Sequence, residues 1–275
     1  MEASPTPGRR SRPFAVDRCE ILVGSIAAGW FSLRLGRSYL YDESVTVGSF
    51  VEVENLATAL TRQINFNNHP GTTAVGNVMY QLGIGSPISY RLVSVLAAMI
   101  TVVALYRAAT VWYSQTVGLV TAGALIVNPT FGDFAAQVRG YAPMVCFVTL
   151  ASIELVDLIK QDTPSTSLRN RYYVYASLAV LFHAYAIVPL ACHGLVVLAK
   201  RPPAWRSIAL KSLLAVPVGL VGYVGVLDIM LNSAGQRARA FSPRFRSRSA
   251  GCWSADRPWL LRFWVRAPCS AWRSG

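Results

Sequence analysis

The stretch YRLVSVLAAMITVVALYRAATVWY, residues 90–113, is the clearest candidate for a transmembrane helix in this chain. A helix needs about 20 mainly apolar residues to cross a bilayer. This stretch reaches that length, and its basic residues, Arg91 and Arg107, lie near its ends. The chain as a whole is also apolar: 53% of its 275 residues are hydrophobic, 14% are charged and the mean hydropathy is +0.39. Soluble domains carry about 25% charged residues, so the composition predicts an all-α polytopic transmembrane helix bundle.

The basic residues are distributed unevenly along the chain. The formal net charge is +13, but residues 231–275 alone hold nine arginines and a single acid. The basic residues are not mounted on a soluble domain, and this argues against a nucleic-acid partner. The five cysteines show no CxxC spacing, so the sequence predicts neither a disulfide framework nor a zinc site.

The positive-inside rule sets the topology on either side of residues 90–113. Residues 1–18 are polar and basic and are expected to form a cytoplasmic tail, followed by a first span at 19–36. Residues 37–89 then form a long outer loop. Within this loop, 44–64 mixes apolar and polar positions, as a helix lying in the interface would. We expect the short apolar stretch 71–85 to lie in the interface also, although a crossing there remains an alternative.

The later apolar stretches complete a domain that covers residues 19–231. Residues 172–199 are too many for one upright span, and a single crossing would place Lys200 outside, so a hairpin of two short helices turning near His183–Tyr185 is favoured. About seven spans result, and the remaining ones are 117–131, 141–159 and 208–231.

The last segment, residues 232–275, differs from everything before it. It has nine Arg, no Lys and four of the seven Trp, with no sustained periodicity. Arg, Ser, Ala, Trp, Pro and Gly together are typical of GC-rich codons read out of frame. We therefore expect a frameshifted gene end. The alternative is a native basic tail that binds lipid headgroups or polyanions.

The predicted topology collects ionisable side chains at the outer face. Ionisable residues at membrane depth are costly and are candidates for function. Each one alone has an ordinary explanation, such as a solvated helix cap, a helix start or an interfacial anchor. Their order and spacing carry the argument, and the set is Asp42, Glu43, His69, Arg91, Arg139, Tyr141 and His183.

This order resembles the GT-C superfamily of membrane glycosyltransferases, and most closely the glycosyltransferase family 39 group. That group includes protein O-mannosyltransferases and aminoarabinose transferases. After the first span come DES at 42–44, an amphipathic stretch, NHPG at 68–71 and a short apolar helix ending in LGIGSP. YRLVSVLAA at 90–98 and VRGY at 138–141 follow. The family usually reads His-Pro-Pro where this chain has HPG.

The resemblance covers about residues 19–200, and members are typically much longer, so this chain is similar to the N-terminal part of one. It implies transfer of a sugar from a polyprenyl-phosphate-linked donor to a hydroxyl on a protein, lipid or glycan acceptor. It also implies an integral protein of the bacterial cytoplasmic (inner) membrane, acting on the cell envelope from its extracytoplasmic face.

The resemblance also implies roles for individual residues. Asp42 would act as the general base, and Glu43 would support it or help to hold a divalent metal cation, the one candidate cofactor. Three residues would bind the donor phosphate, and two histidines would shape the site or bind the metal. The three are Arg91, Arg139 and Tyr141, and the two are His69 and His183.

Two other functions remain open on the sequence alone. The chain could be a catalytically inactive remnant of such an enzyme, as the atypical tail suggests. A transporter is the weaker alternative, because the sequence shows no clear internal repeat, and its span acids Glu154, Asp157 and Asp228 lie toward span ends.

Overall fold

The computed structural model describes residues 18–62 and 68–224, and it confirms the all-α prediction, since no strand occurs in these residues. A π-helical turn, Val47–Val51, continues the second α-helix, and 3₁₀ turns occur at Ala184–Ala186 and Val221–Tyr223. The eleven α-helices of the described residues are α1 Arg18–Ser32, α2 Tyr41–Thr46, α3 Leu56–Thr61, α4 Pro70–Gln81, α5 Pro87–Trp112, α6 Gln115–Val127, α7 Pro129–Ala135, α8 Tyr141–Lys160, α9 Thr166–Phe182, α10 Ile187–Lys200 and α11 Trp205–Leu220.

Several helices begin at a serine that caps them. The side chain of Ser86 accepts a hydrogen bond from the backbone N–H of Ser89 (3.1 Å), directly before Pro87 at the first position of α5. Ser165 caps α9 in the same way. A side-chain oxygen at this position satisfies one of the free N–H groups of the first turn, and Pro at the first helical position lacks that N–H anyway.

The helices pack into two groups that meet at α8. The first group is α1, α5, α6 and α7, in which the ring of Phe31 meets that of Phe131 edge-on at 5.7 Å. The second group is α8 to α11, with a core that includes Leu158, Tyr172 and Ile208. Because α8 packs against both α5 and α9, the two groups form a continuous bundle.

A buried polar network, which the sequence did not indicate, joins four helices of the second group. His193 on α10 contacts the hydroxyl of Ser152 through Nε2 at 3.0 Å. The hydroxyl of Tyr172 lies 2.8 Å from that of Ser212 and 3.5 Å from Nδ1 of the same histidine. Hydrogen bonds of this kind between membrane helices are worth roughly 0.6 kcal/mol each, so the network helps to fix the packing of α8 to α11.

The predicted number of about seven spans is not confirmed. Among the described residues, three helical segments are long and apolar enough to cross a membrane: α5, α8, and α11 with its following turn. Helices α6 and α7 make a fourth candidate span that bends by 70°, where the residue before Pro129 is extended. The predicted spans at 19–36 and within 172–199 correspond to helices of 15, 17 and 14 residues. A helix of 15 residues is only about 22 Å long.

The outer segment 44–64 is not the single helix that the sequence predicts. Helix α2 and its π turn end at Val51, and α3 begins only after Asn55, whose side chain caps it by accepting from the N–H of Thr58 at 2.8 Å. Between these two helices, the backbone carbonyls accept hydrogen bonds from α4: Asn77 donates to the carbonyls of Val51 and Val53. Because these carbonyls bond to a side chain of another helix, the segment 44–64 is interrupted between α2 and α3.

The stretch 71–85 and the hairpin within 172–199 follow the prediction more closely. Helix α4 has 12 residues, about 18 Å, which is too short to span a bilayer. The hairpin turns at His183, between α9 and α10. The proposed boundaries of the N-terminal tail and of the basic tail 232–275 concern residues that lie almost wholly outside the described part of the chain.

Candidate active site

Glu43 and Arg91 form a buried ion pair between α2 and α5. Each side chain is only 1% exposed, and the guanidinium binds both carboxylate oxygens, Nε to Oε1 at 3.0 Å and Nη2 to Oε2 at 2.9 Å. The same carboxylate accepts hydrogen bonds from the backbone N–H groups of Leu40 (3.0 Å) and Val138 (2.9 Å). One carboxylate therefore ties together the loop after α1, the start of α5 and the loop before α8.

The remaining donors of Arg91 bind the loop that follows α1. Nη1 donates to the backbone carbonyls of Leu35 and Arg37, and Nη2 donates to that of Ser38 at 3.2 Å. A guanidinium has five N–H donors, and protein oxygens accept from all of them here. The predicted contact of Arg91 with a donor phosphate is therefore not what this geometry favours. Arg91 is placed to hold the loop that carries the acids.

Asp42, the neighbour of Glu43, has the opposite environment. Its side chain is 59% exposed, and Oδ2 pairs with Nη1 of Arg139 at 2.5 Å, whereas the arginine side chain is only 10% exposed. The guanidinium also lies over the ring of Tyr141, 5.2 Å from its centroid. Adjacent acids therefore differ in their contacts: Glu43 is enclosed by protein, and the carboxylate of Asp42 pairs with Arg139 and is otherwise exposed.

The loop before α8 is held in place by short contacts to its backbone. The hydroxyl of Ser94 on α5 donates to the carbonyl of Gln137 at 2.5 Å, beside the bond from Val138 to the carboxylate of Glu43. Gly140 follows, and a Cβ there would collide with the backbone carbonyl oxygen of Phe182 at the end of α9. The glycine in VRGY therefore lets the chain pass against α9.

We expect Gly140→Ala to lower stability by about 1–3 kcal/mol, as overpacking of a tight contact does, and to reduce activity by displacing Arg139. Thermal unfolding in detergent would measure the first effect. Gly123→Ala on α6 is the matched control, because nothing lies within 4 Å of a Cβ at that position. Equal stability of the two variants would contradict the steric argument.

Four aromatic side chains pack together beside Arg139, and three of them are residues that the sequence predicts. The rings of His69 and His183 have centroids 4.8 Å apart, and Tyr141 lies 5.7 Å from the first and 4.6 Å from the second. Phe134 stacks on Tyr141 at 4.6 Å. The structure thus brings Asp42, Arg139, Tyr141 and both histidines to one place. Sequence reasoning missed Phe134, because no feature of the sequence marks it as a member of this cluster.

Both histidines of this cluster are held in the neutral form. Burial, with the neighbouring ring of His183 and the charge of Arg139, lowers the pKa of His69 from 6.5 to about 3. Burial, with the same arginine, lowers the pKa of His183 to about 4. Nδ1 of His183 accepts a hydrogen bond from the backbone N–H of Tyr185 at 3.1 Å, so a proton on this neutral ring resides on Nε2.

These pKa values predict acid sensitivity. In the unfolded chain a histidine becomes protonated near pH 6.5. In the folded protein, His183 and His69 become protonated only near their pKa values of about 4 and about 3. The unfolded state therefore binds more protons as the pH falls below 6.5, and stability falls with it. We expect the melting temperature in detergent to drop between pH 7 and pH 5. The double variant His69→Asn, His183→Asn should show a flatter profile, and an identical slope in both proteins would exclude these rings as the cause.

Four buried polar atoms near the start of α4 and in the loop before α8 have no hydrogen-bond partner among the described residues. They are Asn68 Nδ2, His69 Nε2, Thr72 Oγ1 and Arg139 Nε. A buried polar group without a partner is costly and needs an explanation. Amide, imidazole, hydroxyl and guanidinium groups are suited to the oxygen atoms of a sugar or a phosphate. Sequence reasoning missed Asn68 and Thr72, although both flank the His-Pro dipeptide.

The described residues do not offer a ready metal site. Across residues 18–62 and 68–224, no group of three or more His, Cys, Asp or Glu side chains could hold a metal ion. Glu43 is already bound by Arg91 and two backbone N–H groups. The carboxylate considered as a metal ligand is therefore occupied by protein donors, and the divalent cation that the resemblance allowed stays a prediction.

The chain matches one family model. Residues 43–228 match the model described as dolichyl-phosphate-mannose-protein mannosyltransferase. No curated protein and no solved structure matches the chain. The matched segment begins at Glu43, runs through every helix from α3 to α11, and contains all of the residues described in this site except Asp42 and the loop that precedes it.

Proposed function

The chain belongs to the dolichyl-phosphate-mannose-protein mannosyltransferase family, and on that premise we propose that it moves a sugar from a polyprenyl-phosphate-linked donor to a hydroxyl acceptor. The family makes it a membrane glycosyltransferase of the GT-C type. The acceptor is a hydroxyl of a protein, lipid or glycan. We place the reaction at the extracytoplasmic face, because the positive-inside rule puts the first loop there. The basic composition, typical of GC-rich codons, favours a bacterial inner membrane.

The observation that carries the proposal is the ion pair of Asp42 with Arg139. In the reaction, the acceptor oxygen attacks the anomeric carbon, and the bond from that carbon to the phosphate oxygen breaks. The acceptor loses its proton, and the lipid phosphate leaves with the bonding electrons. A base and a cation are needed within reach of the same carbon, and Asp42 and Arg139 supply one of each at 2.5 Å.

The same pair suggests how donor binding prepares the base. A donor phosphate that approaches Arg139 competes with Asp42 for the guanidinium, whose Nε has no partner among the described residues. Asp42 is then released to accept the proton of the acceptor hydroxyl. Tyr141 supports the guanidinium through its ring face, and the neutral His69 and His183 offer hydrogen bonds to sugar hydroxyls.

Glu43 and Arg91 have a positioning role in this proposal. Their bonds to the loop residues Leu40, Ser38 and Val138 fix the segments that carry Asp42 and Arg139. Catalytic groups that are held rigidly before the substrate arrives lose less entropy in the reaction. This assignment replaces the predicted contact of Arg91 with the phosphate.

The proposal can be tested by measuring polyprenyl phosphate, the product that is released whichever acceptor receives the sugar. The full chain is reconstituted into vesicles with polyprenyl-phosphate mannose and a membrane extract that supplies acceptors, and the release of polyprenyl phosphate is measured. We expect release that needs both protein and extract. Donor binding without release would overturn the assignment as an active transferase and favour an inactive family member. An absence of donor binding would overturn the proposed substrate class.

A further inference from the structure

An apolar groove runs between α5 and α8 at the end of the bundle away from Asp42. Its volume is about 640 Å³, and its walls are mostly aliphatic, with Ile100 and Ala104 on α5 facing Leu150 and Ile153 on α8. The groove becomes polar at one end only, where Arg107, Trp112, Glu154, Asp157 and Arg171 line it. An apolar channel with one polar end matches an amphiphile.

The polar end lies far from the candidate active site. Arg91, whose partner Glu43 neighbours Asp42, is near the start of α5, and Arg107 is sixteen residues later on the same helix, about 24 Å along its axis. The side chain of Lys160, at the end of α8, lies 5.5 Å from the ring of Trp112. The helix ends meet there, at the face that the positive-inside rule makes cytoplasmic.

Two cations at this end are placed outside the acids that they bind. The side chain of Arg107 is 40% exposed and its partner Glu20 is 11% exposed. Arg171 is 49% exposed and binds both oxygens of Glu154, which is 14% exposed. Carboxylates lie beneath and guanidiniums lie outward, so the accessible charge of both pairs is suited to a phosphate.

Asp157 is the third acid in this lining. It is half-buried, and Lys160 and Arg171 attract it electrostatically while Glu154 repels it. Among the described residues, no direct hydrogen bond or ion pair within 4 Å satisfies its carboxylate. A carboxylate without a direct hydrogen-bond donor at the edge of a membrane span is costly. A hydrogen-bonding cation in the groove would satisfy it. The polar end therefore offers cations for a phosphate and a carboxylate for an ammonium group, side by side.

We propose that this groove binds an aminophospholipid, a glycerophospholipid whose headgroup carries both a phosphate and a primary amine, from the cytoplasmic leaflet. Its phosphate contacts Arg107 and Arg171, its ammonium group contacts Asp157, and its acyl chains lie along α5 and α8. The site is separate from the donor site and does not depend on the proposed transfer reaction. It gives the bundle a preference for one lipid class in the membrane around it.

Native mass spectrometry of the full chain in detergent tests this. The protein is mixed with equal amounts of phosphatidylethanolamine, phosphatidylcholine and phosphatidylglycerol that carry the same acyl chains. We expect phosphatidylethanolamine to be retained about tenfold over phosphatidylcholine, whose quaternary amine cannot donate a hydrogen bond. One charge-assisted hydrogen bond produces a ratio of this size. Equal retention, or retention of phosphatidylglycerol above the amine lipid, would overturn the proposal.

Two variants locate the site. Asp157→Asn should abolish the preference for the amine lipid, whereas Asp162→Asn, an exposed acid beyond the end of α8, should leave it unchanged. Ile100→Trp with Ala104→Trp should lower total lipid retention by filling the groove. Leu96→Trp is the control, because Leu96 lies on the same helix with similar exposure and outside the groove. An unchanged preference in Asp157→Asn would contradict the amine contact. Displacement of the bound lipid by polyprenyl phosphate would contradict the assignment of the groove to an aminophospholipid. Lipid retention that requires dimerisation would place a second copy of the chain in the groove instead.

Discussion

Replacing Asp42 by asparagine is expected to lower sugar transfer by about 10²- to 10⁴-fold, the usual contribution of a general base. The amide keeps the shape of the side chain and cannot take a proton from the acceptor hydroxyl. Stability should change only modestly, because the asparagine amide oxygen can still accept a hydrogen bond from Arg139, although the 10% exposed guanidinium loses its ionic partner. The measurement is release of polyprenyl phosphate by equal amounts of inserted protein.

Asp133→Asn is the matched control for this variant. Asp133 is 54% exposed and pairs with Arg34 and Arg37 near the same face, so its replacement removes a comparable charge from a comparable ion pair. We expect transfer to stay within about twofold of the unmodified chain, since no proton transfer depends on it. A binding measurement separates the roles further: Asp42→Asn should still bind the donor, and Arg139→Gln should bind it weakly. Full transfer by Asp42→Asn would remove Asp42 from the mechanism.

The sequence predicted most of the helices because their signals are local. The apolar stretch 90–113 and the serine and proline at its start define α5, and the polar break at His183 marks the turn between α9 and α10. The segment 44–64 was predicted wrongly, because its helix is broken by bonds from Asn77 on α4 to Val51 and Val53. No local pattern reports the position of a side chain that lies more than twenty residues away.

The candidate site divides in the same way. Adjacent acids and the Arg-Gly-Tyr sequence could be recognised as unusual for a membrane protein, and the structure brings them together. The resemblance gave Asp42 and Glu43 different roles, but the sequence could not show that Glu43 is the acid that faces Arg91 across the fold. The number of about seven spans is not confirmed, because hydropathy does not report where α1 or α10 ends. The stacking of the Phe134 ring on that of Tyr141 likewise depends on tertiary packing.

Breaking the buried pair should have the largest effect on stability. We expect Arg91→Gln to lower the free energy of unfolding by about 3–5 kcal/mol, because it leaves the carboxylate of Glu43 buried without a cation. It also removes donors from the carbonyls of Leu35, Arg37 and Ser38. Thermal and denaturant unfolding in detergent would measure the loss. Arg37→Gln is the control, since that arginine is 61% exposed and shares Asp133 with Arg34.

This variant also decides between the two roles considered for Arg91. If the guanidinium bound the donor phosphate, Arg91→Gln would weaken donor binding and leave unfolding close to that of Arg37→Gln. If it holds the loop, stability falls strongly, and the double variant Glu43→Gln, Arg91→Gln should be less destabilised than the sum of the single changes, because neither partner is then left as an unpaired charge. The five protein acceptors around the guanidinium favour the second result. Stability equal to the control would return Arg91 to the phosphate site.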